Sequence, residues 1–154
     1  MAIIKTVVGD ITTATENYIC HQVNCKAKMN SGVAKAIREK WPIVYAEYLK
    51  MPGTLGDIQF VPISDNQTII NMFAQGGYGY DGSRYTDYEA FATCLETMDK
   101  ALHNDATIAF PYRISCDRGG ANWNIIKEMI REFLGAQTNR TIVFYSIKEI
   151  PNDF

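Results

Sequence analysis

Apolar residues in this chain switch repeatedly between two periods, and that switching limits the folds open to it. "AIIKTVV", residues 2–8, is short and β-branched, as a strand is. "TDYEAFATCLETMDKAL", residues 86–102, instead carries Tyr88, Phe91, Leu95, Met98 and Leu102 at steps of three and four, the stripe of an amphipathic helix. Thr86 and Glu89 match a capping box at its start. "YICHQVN", 18–24, reads as a second strand, with Gln22 and Asn24 on one face and Ile19, His21 and Val23 on the other. "GVAKAIREKW", 32–41, is helical in composition; Pro42 ends or offsets it, and "IVYAEYLK" forms a further short helix. "DIQFVPI" and "TIINMF" are strands joined by "SDNQ" in a hairpin-like connection. "ATIAFP" is another strand, Trp123, Ile126, Met129, Ile130 and Phe133 stripe a second amphipathic helix, and "RTIVFYSI", 140–147, is a last strand. Strands alternating with helices, with one pair close enough to be antiparallel, predict a single α/β domain over residues 1–154. Its sheet is mixed and mostly parallel, flanked by helices. A domain of this length buries roughly 68–70% of its unfolded surface, so it needs no covalent staple.

Fifteen Lys and Arg stand against seventeen Asp and Glu, a net charge of −2. Bulk nucleic-acid binding is not expected from that balance, and any bound anion must be held by local donors. Cys20, Cys25, Cys94 and Cys116 form no C-x-x-C pair, and the histidines are His21 and His103. Neither a structural zinc site nor a disulfide framework is expected. The cysteines read as reduced thiols, and "MAIIKTVVGD" has neither a signal-peptide core nor a membrane span, so the expected location is cytoplasmic.

Three irregular segments follow strands: "GDIT", "CKAKMNSG" and "YRISCDRGGAN". If those strands are parallel, all three lie on one sheet edge, where ligands of open α/β sheets sit. Two of the segments run into predicted helix starts, at Ser31-Gly32 and at Gly120 to Asn122. Helix starts present unpaired N–H groups and partial positive charge, and glycine lets backbone approach a phosphate closely. Two such ends facing each other could clamp a diphosphate. Four or five charge-assisted bonds of roughly 1.5–3 kcal/mol would support micromolar binding after ordering costs. Neither G-x-x-x-x-G-K-[ST] nor G-x-G-x-x-G occurs after the first strand, which argues against ATP hydrolysis and nicotinamide chemistry. On composition alone the segments are either anion loops or plain turns.

"GDIT", then "HQVN", then "MNSGVAKAI", then "FPYRISCDRGGANW", in that order, resembles the macro domain family over nearly the whole chain. The likeness is to the branch containing the yeast ADP-ribose-1″-phosphate phosphatase and the terminal ADP-ribose protein glycohydrolases. The resemblance implies ADP-ribose or a derivative as ligand, with an ADP-ribosylated macromolecule as a further candidate partner and no cofactor or metal. It assigns Asp10, beside Ile11, to the adenine amino group and Asn24 to the distal ribose. Ser31, Gly32, Val33 and Ala34 match the first phosphate loop, and Ser115, Cys116, Asp117, Arg118, Gly119 and Gly120 the second. Tyr145 or Ser146 falls where the family flanks adenine. The glycohydrolase lysine is replaced by Ala74 or Gln75, and the loop aspartate is displaced to Asp117, with Gly119 in its place. Hydrolysis of a phosphate or ester at the distal ribose is the activity this leaves; a non-catalytic ADP-ribose-binding module is the alternative.

For single residues two readings stand side by side. Asp10 caps a turn or meets adenine. Asn24 forms a turn or holds ribose. His21 is a buried, hydrogen-bonded histidine or, with Asp117 and Asn24, part of the catalytic group. Asp117 and Arg118 are solvated, or the first orients a water and the second meets a phosphate. Cys116 is packing or a reactive thiol, and Trp123 is core or a ring that covers the loop. "AQGGYGYDGSRY", 74–85, with Tyr78, Tyr80 and Tyr85, is a mobile surface loop or a cover for the distal ribose.

Overall fold

The expected periods translate into twelve short segments in a computed structural model that describes residues 1–29, 32–77, 84–116 and 119–148. Ser31, Asp117, Arg118, Tyr78 and Tyr80 lie outside the described residues. In chain order come β1 (Ile3–Val8), a 3-10 turn (Ile11–Thr13), β2 (Tyr18–Asn24), α1 (Gly32–Lys40) and α2 (Pro42–Tyr48). They are followed by β3 (Ile58–Ser64), β4 (Gln67–Gln75), α3 (Tyr88–Ala101), β5 (Thr107–Pro111), α4 (Trp123–Ile130) and β6 (Thr141–Ser146). A wider π-type turn, Arg131–Gly135, extends α4. Pro42 does what its ring allows: α1 ends two residues before it, and it opens α2, where a missing N–H is harmless.

Among the described residues the strands form one six-stranded sheet in the order β1-β6-β5-β2-β4-β3. Every pairing is parallel except the β3–β4 hairpin, so the sheet is mixed and mostly parallel. Alternating side chains divide into two cores. Cys20, Ile70, Met72, Ile108, Phe110, Ile142 and Phe144 pack with Phe91, Leu95 and Met98 of α3 and Ile126 and Ile130 of α4. Ile19, Val23, Ile69, Phe73 and Ala109 pack on the other face with Ile37 of α1 and Val44 and Tyr48 of α2. Each fully buried Ile or Phe side chain contributes about 1.5–3 kcal/mol, which fixes the register of strands buried on both faces.

Two local expectations change. The N-cap of α3 is Asp87, whose carboxylate accepts from Ala90 N at 2.9 Å, rather than Thr86. The Thr86 hydroxyl is engaged with Gln22 and with the Ser115 carbonyl instead. Gln22 and Asn24 also do not share a face. Gln22 reaches the segments ahead of α3 and α4, whereas Asn24 turns to Tyr48 of α2. The ladder explains it: between Val23 and Asn24 the register shifts, β4 carrying one residue more than β2.

Candidate functional site

Because β1, β6, β5, β2 and β4 run parallel, their carboxyl ends share one edge, and "GDIT", "CKAKMNSG" and "YRISCDRGGAN" all emerge there. β2 and β5 are neighbours, yet their continuations part. From β2 the chain goes through α1 and α2 toward β3 and β4; from β5 it goes through α4 to β6. That divergence makes the β2–β5 boundary a topological switch point, where open α/β sheets have room for a ligand crevice.

On one side of the crevice Asn24 builds the first loop. Its Oδ1 accepts from Lys26 N at 2.9 Å and Lys28 N at 3.3 Å, and its Nδ2 donates to Lys28 O at 2.8 Å. The Tyr48 hydroxyl donates to the Asn24 carbonyl at 2.6 Å. The amide is thus spent on the turn, as an Asx side chain can be, rather than held out toward a sugar. The turn leads to Gly32, at φ +61°, where an added Cβ would meet nothing within 4 Å. Gly32, Val33 and Ala34 supply first-turn amides that have no partner among the described residues, and no acidic side chain sits in that turn.

On the other side lies the loop after β5. Arg113 and Ser115 both hold positive φ, +61° and +73°, as does Gly120 at +71°. The Asn122 side chain caps α4, accepting from Asn124 N at 2.9 Å and Ile125 N at 3.4 Å. Two of the first amides of α4 are thus already satisfied by this cap. The loop amides ahead of it, at Gly119 and Gly120, have no partner among the described residues. Gly119 is tightly enclosed: an added Cβ would lie 2.3 Å from Thr86 Oγ1 and 2.4 Å from Ser115 O. No aspartate fits there with the loop in this shape. Cys116 and Trp123 belong to the core, the indole meeting Tyr112 and Phe144 edge-on at 5.4 and 5.1 Å.

Asp10 and Tyr145 lie toward the outer end of the same edge. Asp10 Oδ1 accepts from Thr12 N at 2.9 Å and Thr12 Oγ1 at 2.8 Å, so the residue does cap a turn. Those bonds, the backbone one first, hold its carboxyl below the usual range, and Lys40 adds to the effect. Lys40 Nζ also donates to Thr12 O, tying the end of α1 to this turn. Ile11 is buried beneath it. The Tyr145 ring lies beside Gly9, where an added Cβ would be 3.5 Å from Cδ2. Its hydroxyl donates to Glu16 Oε1 at 2.6 Å. Burial first, then Glu16, pushes the phenol up to about 12, so it stays protonated.

His21 is not brought to the crevice. It precedes the end of β2 by three residues, roughly 10 Å along the strand, and is 1% exposed. Its Nε2 lies 2.5 Å from Asn71 Oδ1, while Asn71 Nδ2 donates to Gln59 Oε1 at 2.9 Å. With the Asn71 amide so oriented, Nε2 carries the proton and Nδ1 is left without a partner. Burial pushes the imidazole down to about 4, against the Asn71 bond that raises it. A neutral ring inside the sheet cannot exchange protons with a ligand at the edge. At the positions of the family lysine, Ala74 is buried and Gln75 bonds Gln22 and the Gly77 carbonyl. Among the described residues no group of three or more His, Cys, Asp or Glu could hold a metal ion, and no helix is long and apolar enough to cross a membrane. All four cysteines carry free thiols.

The layers and the strand order make this a three-layer α/β/α domain with a mixed, mostly parallel sheet. Solved structures narrow the fold further. A Bacteroides thetaiotaomicron protein of unknown function is 27% identical, with a TM-score of 0.77 over 92% of this chain and 97% of that one. The macrodomain of Mycobacterium tuberculosis DarG is 19% identical, with a TM-score of 0.80 over 95% of this chain and 99% of that one. Thermosipho africanus DarTG, solved in complex with ADP-ribose, is 15% identical, with a TM-score of 0.76 over 96% of this chain and 43% of that one. No family model matches the chain, and no curated protein matches it in sequence. The chain has the macro-domain fold.

Sequence reasoning missed Gln22, Thr86 and Tyr48 as parts of the site. A glutamine inside an otherwise apolar strand end was the signal for the first. Thr86 was hidden by its match to a capping box, and Tyr48 by its place in a short helix with no functional signal.

Proposed function

We propose that the crevice between β2 and β5 binds ADP-ribose. The diphosphate lies between the amides of Gly32, Val33 and Ala34 and those of the loop Ser115–Gly120, in which Asp117 and Arg118 take part. Adenine lies beside Tyr145 and Ile11, with the outward Asp10 oxygen accepting from its amino group. The observation that carries this reading is that two glycine-flanked sets of amides, without partners among the described residues, follow the carboxyl ends of neighbouring strands at one switch point. The ADP-ribose bound by the Thermosipho DarTG, which shares the fold, supports the choice of nucleotide. Asn24 acts by shaping the first loop.

The finer reading follows the branch likeness: the chain hydrolyses a phosphate or ester at the distal ribose, as an ADP-ribose-1″-phosphate phosphatase or deacylase does. Asp117 orients or deprotonates the attacking water, with no metal, in a cytoplasmic setting. The second reading, a binding module for ADP-ribose or an ADP-ribosylated macromolecule, is favoured by Ala74 and Gln75 at the lysine position and by the enclosure of His21. Calorimetry with ADP-ribose, ADP and AMP tests binding; no preference for ADP-ribose would reject the site. Phosphate release from ADP-ribose-1″-phosphate tests turnover. Good binding without release, unchanged in Asp117→Ala, leaves the module.

A further inference from the structure

Gln22 stands two residues before the end of β2, half-buried, and the functional reading gives it no task. Its side-chain amide joins three segments. Nε2 donates to Thr86 Oγ1 at 2.8 Å and to Gln75 Oε1 at 3.1 Å. Oε1 accepts from Ser115 Oγ at 2.6 Å. The orientation of the amide is fixed by its neighbours: the Thr86 hydroxyl gives its own proton to Ser115 O at 3.1 Å, so toward Gln22 it must accept.

Around this hub the loop after β5 is bound to the segment ahead of α3 by main chain as well. Tyr85 N and Thr86 N both donate to Gly119 O, at 2.8 and 2.9 Å. Ala121 N donates to Ser115 O at 3.0 Å. Ser115 holds φ +73°, which a residue with a side chain adopts only where its surroundings over-determine it. Here the restraints are the Gln22 bond to its hydroxyl and two bonds to its carbonyl. The same packing leaves Gly119 no room for a side chain.

We propose that Gln22 is a positioning residue: its amide fastens Ser115 to Thr86 and Gln75, and so sets the shape of the second anion loop for a diphosphate ligand. The proposal rests on the reading of the crevice as an ADP-ribose site. Gln22 touches no ligand itself. Asp10 and Tyr145 lie apart from its network, so its loss weakens the diphosphate and distal-ribose end and spares the adenine end.

Gln22→Met keeps the volume and removes all three bonds; Thr86→Val removes the hydroxyl in the same shape, and Thr86→Ser restores it. Calorimetry with ADP-ribose and AMP, and amide hydrogen exchange, are measured on each. The expected result is a Kd for ADP-ribose raised about tenfold or more in Gln22→Met and Thr86→Val, a Kd for AMP within about threefold, and near-complete rescue in Thr86→Ser. Exchange at Tyr85 and Thr86 quickens in Gln22→Met. If the unaltered chain binds ADP-ribose and Gln22→Met binds it equally well, or loses AMP to the same degree, the proposal is overturned. If Gln22→Met does not fold, the Thr86→Val and Thr86→Ser pair gives the same decision. If the unaltered chain binds no ADP-ribose, the reading of the crevice fails, and the ligand half of the proposal with it. The fastening is then judged on exchange alone: unchanged protection at Tyr85 and Thr86 overturns it, and quicker exchange upholds it.

Discussion

The two edges of the sheet are built on opposite principles. At the amino-terminal edge, polar groups are paired by side chains. Arg140, 1% exposed, donates to Asp99 Oδ1 at 2.6 Å and to the carbonyls of Asp99, Leu102, His103 and Leu134. One guanidinium thereby closes the last turn of α3 and the extension of α4. Asn17 and Thr107 bond each other there, and Gln67 bonds the carbonyls of Ala14 and Glu16. At the carboxyl-terminal edge, main-chain amides at Gly32–Ala34 and Gly119–Gly120 stay unpaired among the described residues. Among the described residues other than glycine, Ala27, Arg113 and Ser115 hold positive φ there, against Gln137 at the other edge. Bonds are completed at one edge and left open at the other, which is where the proposed binding site lies.

Substitutions can break or sharpen that contrast. The largest effect falls on the closed edge: Arg140→Ala costs about 3–5 kcal/mol of unfolding free energy. The lower part of that range applies, because Asp99 is half-exposed and remains hydrated. Urea denaturation checks it, and the affinity of the folded fraction for ADP-ribose stays unchanged.

Between the edges lies His21. Its folded value is depressed to about 4 from an ordinary 6.5, so the unfolded state takes up the proton first as pH falls. Its contribution is intact above pH 6.5 and is lost as pH drops toward 4, at up to about 1.4 kcal/mol per pH unit. A total on the order of 3 kcal/mol is expected. His21→Gln removes that part of the slope, read by denaturation at a series of pH values; an unaltered slope would return the histidine to solvent.

At the open edge, Gly119→Ala forces a methyl into Thr86 Oγ1 and Ser115 O, and ADP-ribose affinity falls about tenfold or more with a smaller loss of stability. Last and smallest, Ala27→Gly relieves a left-handed φ of +59° and raises stability by about 0.5–1 kcal/mol. A thermal melt reads it, and no gain would mean the turn is not strained.

Strand and helix identity were legible in the sequence because each element keeps one period, as the Tyr88–Phe91–Leu95–Met98 stripe and the β-branched strands do. The switch point was not legible, since strand order depends on contacts far apart in sequence, such as Tyr18 with Ile108. The three segments singled out by composition do share one edge, but composition did not show which of their amides lack a partner among the described residues. The Asn122 cap, the turn formed by Asn24 and the fastening of Ser115 by Gln22 are set by side-chain orientations that no spacing encodes. Thr86 shows the limit well: a hydroxyl two residues before the helix matches a cap in sequence, yet Asp87 takes that role and frees Thr86 for the loop.

A crystal structure with ADP-ribose bound tests the central claim most directly. Diphosphate oxygens are expected within about 3 Å of amide nitrogens in both Gly32–Ala34 and Gly119–Gly120, with adenine beside Tyr145 and Asp10. A diphosphate held by only one of the two loops, or by neither, would contradict it.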